Sequence, residues 1–180
     1  LDEENESALN NYPIYKLDKN NFKQESKCEY SNKSFDYYNG YQIEDHKQVT
    51  ILKLKDKTIF KRLLSVLVEI NHPNVESFIG AYIDNTNITI ITNRSGVSLD
   101  NYLSFHKADD PYKFKPGDRT ILTFKIARAM LHLHIRSIIH RNLVNSNIFI
   151  QQNQNNEIDE INPIVVGFRA SRLLPPNPTI

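Results

Sequence analysis

Little in this chain is available for covalent or metal chemistry. Its 180 residues include one cysteine, Cys28, one methionine, Met130, five glycines and no tryptophan. A single thiol cannot close an internal disulfide or assemble a thiolate cluster for zinc, and such cysteine usage fits a reducing, cytoplasmic compartment. No run approaches about eighteen consecutive apolar residues, so no membrane-spanning helix is expected. The opening LDEENESALNN is acidic where a secretory leader is basic and then apolar. An excess of one charge is missing too: 22 Lys and Arg stand against 21 Asp and Glu, a formal net charge of +1. That balance disfavours nucleic acid and anionic lipid as partners, because no one-signed field gathers them. Lys107, Lys113, Lys115 and Arg119, dotted with Phe105, Tyr112 and Phe114, therefore read as a solvated loop. No G-x-S-x-G announces a nucleophile elbow. His132, His134 and His140 are close in sequence, but residues two apart on a helix diverge by about 200°, and no cysteine or carboxylate supports them as ligands.

What is present is a succession of short periodic segments. Residues 1–26 are rich in Asn, Asp, Glu and Lys without a sustained period and read as a polar leader or linker, with one short element around residues 15–22. SFDYYNGYQI holds Asn39-Gly40, a tight-turn dipeptide, and VTILKL is a β-branched strand. Over residues 58–70 the period changes. Phe60, Leu63, Leu64, Leu67 and Ile70 recur at helical intervals, and Asn71-His72-Pro73 ends the run because proline disfavours a helical residue before it. SFIGAYI and ITIIT are two further strands about a polar turn at residues 84–87. A short helix over 98–105 and a Lys-, Asp- and Pro-rich loop precede a long helix from Arg119 to Arg136. Asp118 is placed to cap that helix, whose apolar face includes Leu122, Ile126, Met130 and Leu133. The Gln/Asn stretch at 151–156 reads as a surface turn, and no internal repeat appears.

Directly after the long helix stands IIHRNLVNSNIFI, residues 138–150. It resembles the catalytic loop of eukaryotic protein kinases, with His140, Arg141, Leu143 and Asn147 in place and Asn142 where the loop has aspartate. VTILKL stands where a Val-Ala-Ile-Lys strand belongs, FKRLLSVLVEINHPNVESFIGAY where the regulatory helix and next strand belong, and VVGFRASRL where Asp-Phe-Gly belongs. The HPNV turn, the FIGA strand and ARAMLHLH are most similar to the tyrosine-kinase-like group. This resemblance implies an α+β, protein kinase-like fold. Residues 27–93 would form an N-lobe, an antiparallel sheet with one regulatory helix. Residues 94–180 would form the first, mainly helical part of a C-lobe, through the catalytic loop into the activation segment. It also implies that the helices which cover the long helix in kinases lie beyond LLPPNPTI, leaving part of its apolar face bare.

The same alignment shows what the phosphoryl-transfer chemistry lacks. A glycine-rich loop lets backbone amides close over phosphates, but its three glycine places fall on Ser31, Lys33 and Asp36, where bulk and negative charge oppose that approach. The phosphate-holding lysine falls on Leu52 and its helix glutamate on Leu63. Lys53 is adjacent, but alternation along a strand turns it to the other face unless a bulge intervenes. Loss of both partners of a buried ion pair can be neutral, whereas loss of one costs about 3–5 kcal/mol, so Leu52 and Leu63 are expected to pack together; both being plain core leucines is the alternative. Thr92, closing ITIIT, belongs to the same degenerate nucleotide positions. Asn142 cannot take a proton as a carboxylate does, Asn147 remains as one metal ligand, and Gly167-Phe168-Arg169 puts glycine at the other and a cation beside it. Phe168 is an apolar packing residue, His140 is expected to brace the loop, and Arg141 no longer has a catalytic carboxylate beside it.

Three readings follow from the resemblance. The first is an inactive kinase-like module, a pseudokinase with no cofactor, acting as a scaffold or allosteric partner of another protein, such as an active kinase or the rest of its own longer chain. The second is an ATP- and Mg-dependent kinase in which Lys53, Lys33 and Arg169 compensate. The third is a partial gene product without activity.

Overall fold

The structure, a computed structural model, describes residues 2–31, 33–84, 87–93, 96–107, 116–151 and 160–175. Most of the basic loop at 107–119, part of the turn at 84–87, most of the Gln/Asn stretch and the last five residues lie outside the described residues. The chain divides into two compact units, residues 1–68 with 77–94, and residues 69–76 with 95–180.

The first unit is built on an antiparallel sheet. The chain opens with α1 (Asp2–Asn10), then β1 (Phe22–Ser31), β2 (Phe35–Gln42), β3 (Gln48–Leu54), α2 (Phe60–Leu67), β4 (Phe78–Asp84) and β5 (Asn87–Asn93), with strand order β1-β2-β3-β5-β4. Residues 1–26 are not a separate leader. Leu9 is 1% exposed, and Asn5, equally buried, donates to the Lys57 carbonyl at 3.4 Å. Further along, the Leu17 amide donates to Ala81 at 2.9 Å, which lays this segment along β4, and Leu17 and Phe22 pack on the cluster Val49, Ile51 and Ile91. A segment without sequence period is thus held by a few apolar anchors and by backbone pairing.

Two other expectations change. Asn39-Gly40 is no turn: β2 runs straight through it, with Gly40 paired to Val49 on one side and Gln24 on the other. A Cβ there would stand 2.5 Å from Ile51 Cδ1 and 2.6 Å from the Lys23 carbonyl, so glycine answers a close approach inside the sheet. The helix expected to reach residue 70 stops at Leu67. The following segment is committed elsewhere, because Val165 donates to the Asn74 carbonyl and Glu76 donates to the Val165 carbonyl, each at 2.9 Å, and so residues 69–76 belong to the second unit.

That unit contains β6 (Val97–Ser98), α3 (Leu99–Lys107), α4 (Pro116–Ile135), β7 (Ile138–Ile139), β8 (Ile148–Ile150), β9 (Pro163–Val165) and β10 (Arg172–Leu173). α4 begins at Pro116, where a missing N–H costs nothing, so Asp118 lies in its first turn and complements the dipole instead of preceding the helix. Its core cluster joins Leu99, Tyr102, Leu122, Ile148, Ile150 and Ile161, with Ile126 packed against it. β6-β8-β9 form one small sheet and β10-β7 another, and these place the loop between β7 and β8. The observed architecture is α+β, a five-stranded antiparallel sheet with helices, as the resemblance implied for the first unit.

Candidate functional site

In the first unit the strand positions are fixed by register. β3 pairs residue for residue with β2 and with β5, without a bulge, from Val49 to Leu54. Leu52 therefore shares a face with Thr50, Leu54 and their partners Ile90, Thr92 and Ile88. Thr92 and Thr50 are buried and directly paired, and the Tyr37 hydroxyl lies 3.0 Å from Thr50 Oγ1. Lys53 points the other way, its Nζ 5.3 Å from the centroid of the Tyr38 ring. Leu52 is half-buried and Leu63, on α2, is 7% exposed.

Of the three positions aligned with a glycine loop, Ser31 and Asp36 are tied to each other. Ser31 pairs with Asp36 across β1 and β2, while Lys33 is exposed in the connection. Lys55, just past the end of β3, binds the Asp36 carboxylate at 2.7 Å and donates to Ser31 Oγ at 2.8 Å. Hydrogen bonding by Lys55 and then Ser31 holds the Asp36 carboxyl below its ordinary range. So the negative charge expected of Asp36 is matched locally. Sequence reasoning missed Lys55 because nothing marks it but its place two residues after Lys53, on the same alternating face.

In the second unit the loop positions converge. His140 is 1% exposed; its Nε2 lies 2.9 Å from the Val166 carbonyl, and its Nδ1 accepts from the Asn142 amide at 3.3 Å. The tautomer that satisfies both is neutral, with the proton on Nε2. Burial lowers its pKa, partly offset by the bond to Val166. Phe168 is buried edge-on against His140 at 4.9 Å, and Ser171, unmarked in the sequence, donates to the His140 carbonyl at 3.0 Å. His140 thus ties the loop after β7 to Val166 and Ser171. It also leaves Arg141 exposed at φ 65°, in the left-handed region.

The remaining loop residues meet at Asn147. Its Nδ2 donates to the Asn142 carbonyl at 2.9 Å, and its own carbonyl accepts from Val166 at 3.0 Å. Gly167 follows at φ 84°, and a Cβ on it would fall 2.6 Å from Asn147 Oδ1. Arg169 is exposed one turn further on. Among the described residues no three His, Cys, Asp or Glu are placed to hold a metal ion together. His132 instead stacks on His72 at 5.0 Å, with the Asn71 amide and Arg136 at its two nitrogens.

Comparison with known proteins accords with this arrangement. The sequence profile described as protein tyrosine and serine/threonine kinase matches residues 37–161, which include β3, α2 and the loop at 138–150. The serine/threonine/tyrosine-protein kinase HT1 of Arabidopsis thaliana is 30% identical over 132 residues, covering 73% of this chain and 31% of that protein. The RAF proto-oncogene serine/threonine-protein kinase of Xenopus laevis is 31% identical over 129 residues, 68% of this chain and 19% of its own. TNNI3K of Mus musculus, a serine/threonine-protein kinase, is 30% identical over 136 residues, 73% of this chain and 15% of its own. The chain spans less than a third of the length of each of these relatives. Fold, motif order and matched profile agree, and the chain belongs to the protein tyrosine and serine/threonine kinase family.

Proposed function

We propose that this kinase-family chain is a non-catalytic, cytoplasmic signalling module that works by binding another protein, as a scaffold or as an allosteric partner. The observation that carries this reading is the unbroken register of β3. Leu52, aligned by the resemblance with the phosphate-holding lysine, is apolar, and that register turns the neighbouring Lys53 onto Tyr38, on the opposite face. Two further observations support it. Asn142 offers a neutral amide where a proton acceptor is needed, and an amide is not a general base at neutral pH. Asn147 and Gly167 together present one neutral side-chain oxygen, and that atom belongs to a group already bonded to Asn142 and packed against Gly167. A divalent cation wants several oxygens with carboxylate charge among them, so this donor set does not fit Mg²⁺. Nucleotide and metal have no role in the proposal. In this proposal Leu52 and Leu63, aligned with the lysine and its glutamate partner, bring no charge to the cleft.

The test is thermal melting of the full chain with and without Mg-ATP, beside a phosphotransfer assay on the same material. The expected result is one cooperative melt indifferent to nucleotide, and no transfer above controls for contaminating enzymes. A midpoint that climbs with ATP as mass action requires would overturn the reading; so would transfer to the chain itself or to a generic substrate. Absence of any cooperative melt would favour the partial, inactive product instead.

A further inference from the structure

α2 stops at Leu67 and β4 begins at Phe78, and two histidines hold the turn between them. His72 Nδ1 accepts from the Asn74 amide at 3.1 Å, and His132, in the last turn of α4, receives the Asn71 amide at Nε2, 3.3 Å away. The two rings lie 5.0 Å apart, tilted by 44°. A neutral imidazole has one lone-pair nitrogen and one N–H, so a proton added to His72 must displace the Asn74 amide. His132 is more constrained still. Its Nδ1 lies 3.2 Å from Arg136 Nη1, and a guanidinium can only donate, so both ring nitrogens face donors. The neutral ring satisfies one of them; the imidazolium satisfies neither. Burial, and then the nearby cations, lower both pKa values from 6.5: Arg128 and Arg136 act on His72, and Arg136 and His72 act on His132. Glu69 and Glu76, the acids of the same segment, are not among the groups that shift either ring. The other attachments of the segment are main-chain and amide bonds that do not titrate. Val165 donates to the Asn74 carbonyl and Glu76 to the Val165 carbonyl, each at 2.9 Å, while Asn74 Nδ2 donates to Asn162 Oδ1 at 2.8 Å and to the Pro163 carbonyl at 2.9 Å.

We propose that His72 and His132 form an acid-sensitive latch: protonation releases the amides of Asn71 and Asn74 and lets the turn part from α4, while Asn74 and Glu76 stay paired to β9. The sign follows from linkage. The closed latch is fully favoured above about 6.5, the value of the released rings, and is lost as pH falls through the lower values of the closed ones. Between about pH 7.5 and about pH 5.5 each ring can raise the opening constant by at most about tenfold, and the two together by at most about a hundredfold. The latch is local, because only one side of the segment is held by groups that titrate in this range. It involves none of the nucleotide or loop positions, so the proposal stands whether or not the chain transfers phosphate.

The test is residue-resolved hydrogen exchange on the full chain at about pH 7.5 and about pH 5.5, read as protection factors so that the intrinsic pH dependence of exchange cancels. Histidine Cε1–H shifts are followed by NMR over the same range. Protection at Asn71 and Asn74 should fall at least about threefold further than at Glu76 and Val165, whose bonds do not titrate. The two rings should titrate with midpoints below 6.5. His72→Asn, whose side-chain oxygen can accept the amide two residues on, combined with His132→Gln, should remove the excess loss while keeping a cooperative melt. Parallel loss at all four amides would overturn the proposal, since the acid effect would then be global. An excess that persists in the double variant, or ring midpoints at or above 6.5, would overturn it as well. Should the double variant not melt cooperatively, the parent's exchange and ring midpoints decide.

Discussion

The Cγ of Asn147 lies 2.7 Å from the point where a Cβ on Gly167 would project, so the side chain of one residue fills the space that a side chain on the other would need. The Gly167 backbone adds to this, since φ 84° is strained for a residue with a Cβ. Gly167→Ala is therefore expected to cost about 1–3 kcal/mol from backbone strain, with the clash added. In an Asn147→Ala background the clash is gone, and a double-mutant cycle in urea should show a coupling of about 0.5–3 kcal/mol. Equal costs in both backgrounds would mean that Asn147 is no obstacle, and that an aspartate at 167 could be restored without moving it.

Three histidines make acid unfavourable to the fold. Burial lowers the pKa of His140, and burial followed by neighbouring positive charge lowers those of His72 and His132, from an ordinary value of 6.5. Arg128 and Arg136 face His72, and His132 has Arg136 and His72 beside it, so no carboxylate opposes the effect among the causes. Below 6.5 the unfolded chain binds protons that the folded chain refuses, so stability rises with pH there. The stabilisation is complete above the unfolded value and is lost as pH falls through the lower folded values. Urea midpoints taken from about pH 8 to about pH 5, where carboxylates stay ionised, should be flat at first and then fall below about 6.5. His140→Gln should flatten that decline; a decline of unchanged depth would assign it to other groups.

Much of this was legible from residue type and spacing. β-branched runs such as VTILKL and ITIIT are strands, the period of Leu122, Ile126, Met130 and Leu133 marks α4, and the kinase motifs stand in order. Other features depend on partners far away in sequence. α1 is polar and nearly without period, so only the burial of Leu9 and Asn5 reveals its role. Asn39-Gly40 has the chemistry of a turn but the neighbours of a strand, and tertiary pairing prevails over local propensity. α2 is cut short because Asn74 and Glu76 pair with Val165, about ninety residues on. On α4, exposed Ile121, Phe124, Leu131 and Ile135 lie opposite buried Leu122, Ala129 and Leu133, and two opposite apolar faces cancel in any search for one-sidedness. At the loop, the family motif located His140, Asn142 and Asn147, but not that Asn147 would turn its amide onto Asn142 and fill the space beside Gly167.

Gly40 tests the strand assignment. A turn glycine with open space around it accepts alanine at little cost unless its φ is positive, and Gly40 is not among the positive-φ glycines. Here a methyl group would press on Ile51 Cδ1 and the Lys23 carbonyl, one a core side chain and the other backbone. Gly40→Ala is expected to cost about 1–3 kcal/mol by overpacking, and Gly40→Val more. Ile51→Val, which shortens the side chain it meets, should recover part of the alanine cost. A Gly40→Ala protein as stable as the parent would place residues 39–40 outside the sheet.

Leu9 offers the corresponding test of the N-terminal segment. A leader would be indifferent to truncation of its side chains, but Leu9 is 1% exposed on a helix that meets α2, with Asp2 and Glu4 paired to Lys57 and Lys61. Those ion pairs are exposed and contribute little, so apolar burial carries the docking. Leu9→Ala should cost about 2–5 kcal/mol in urea unfolding, as for a core leucine, and should expose the amides of α1 and α2 together in hydrogen exchange. Ile14, 80% exposed a few residues on, is the control, and Ile14→Ala should stay within about 0.5 kcal/mol of the parent. If both substitutions were equally mild, α1 would contribute nothing to the first unit, and α2 would have to be held from its other side alone.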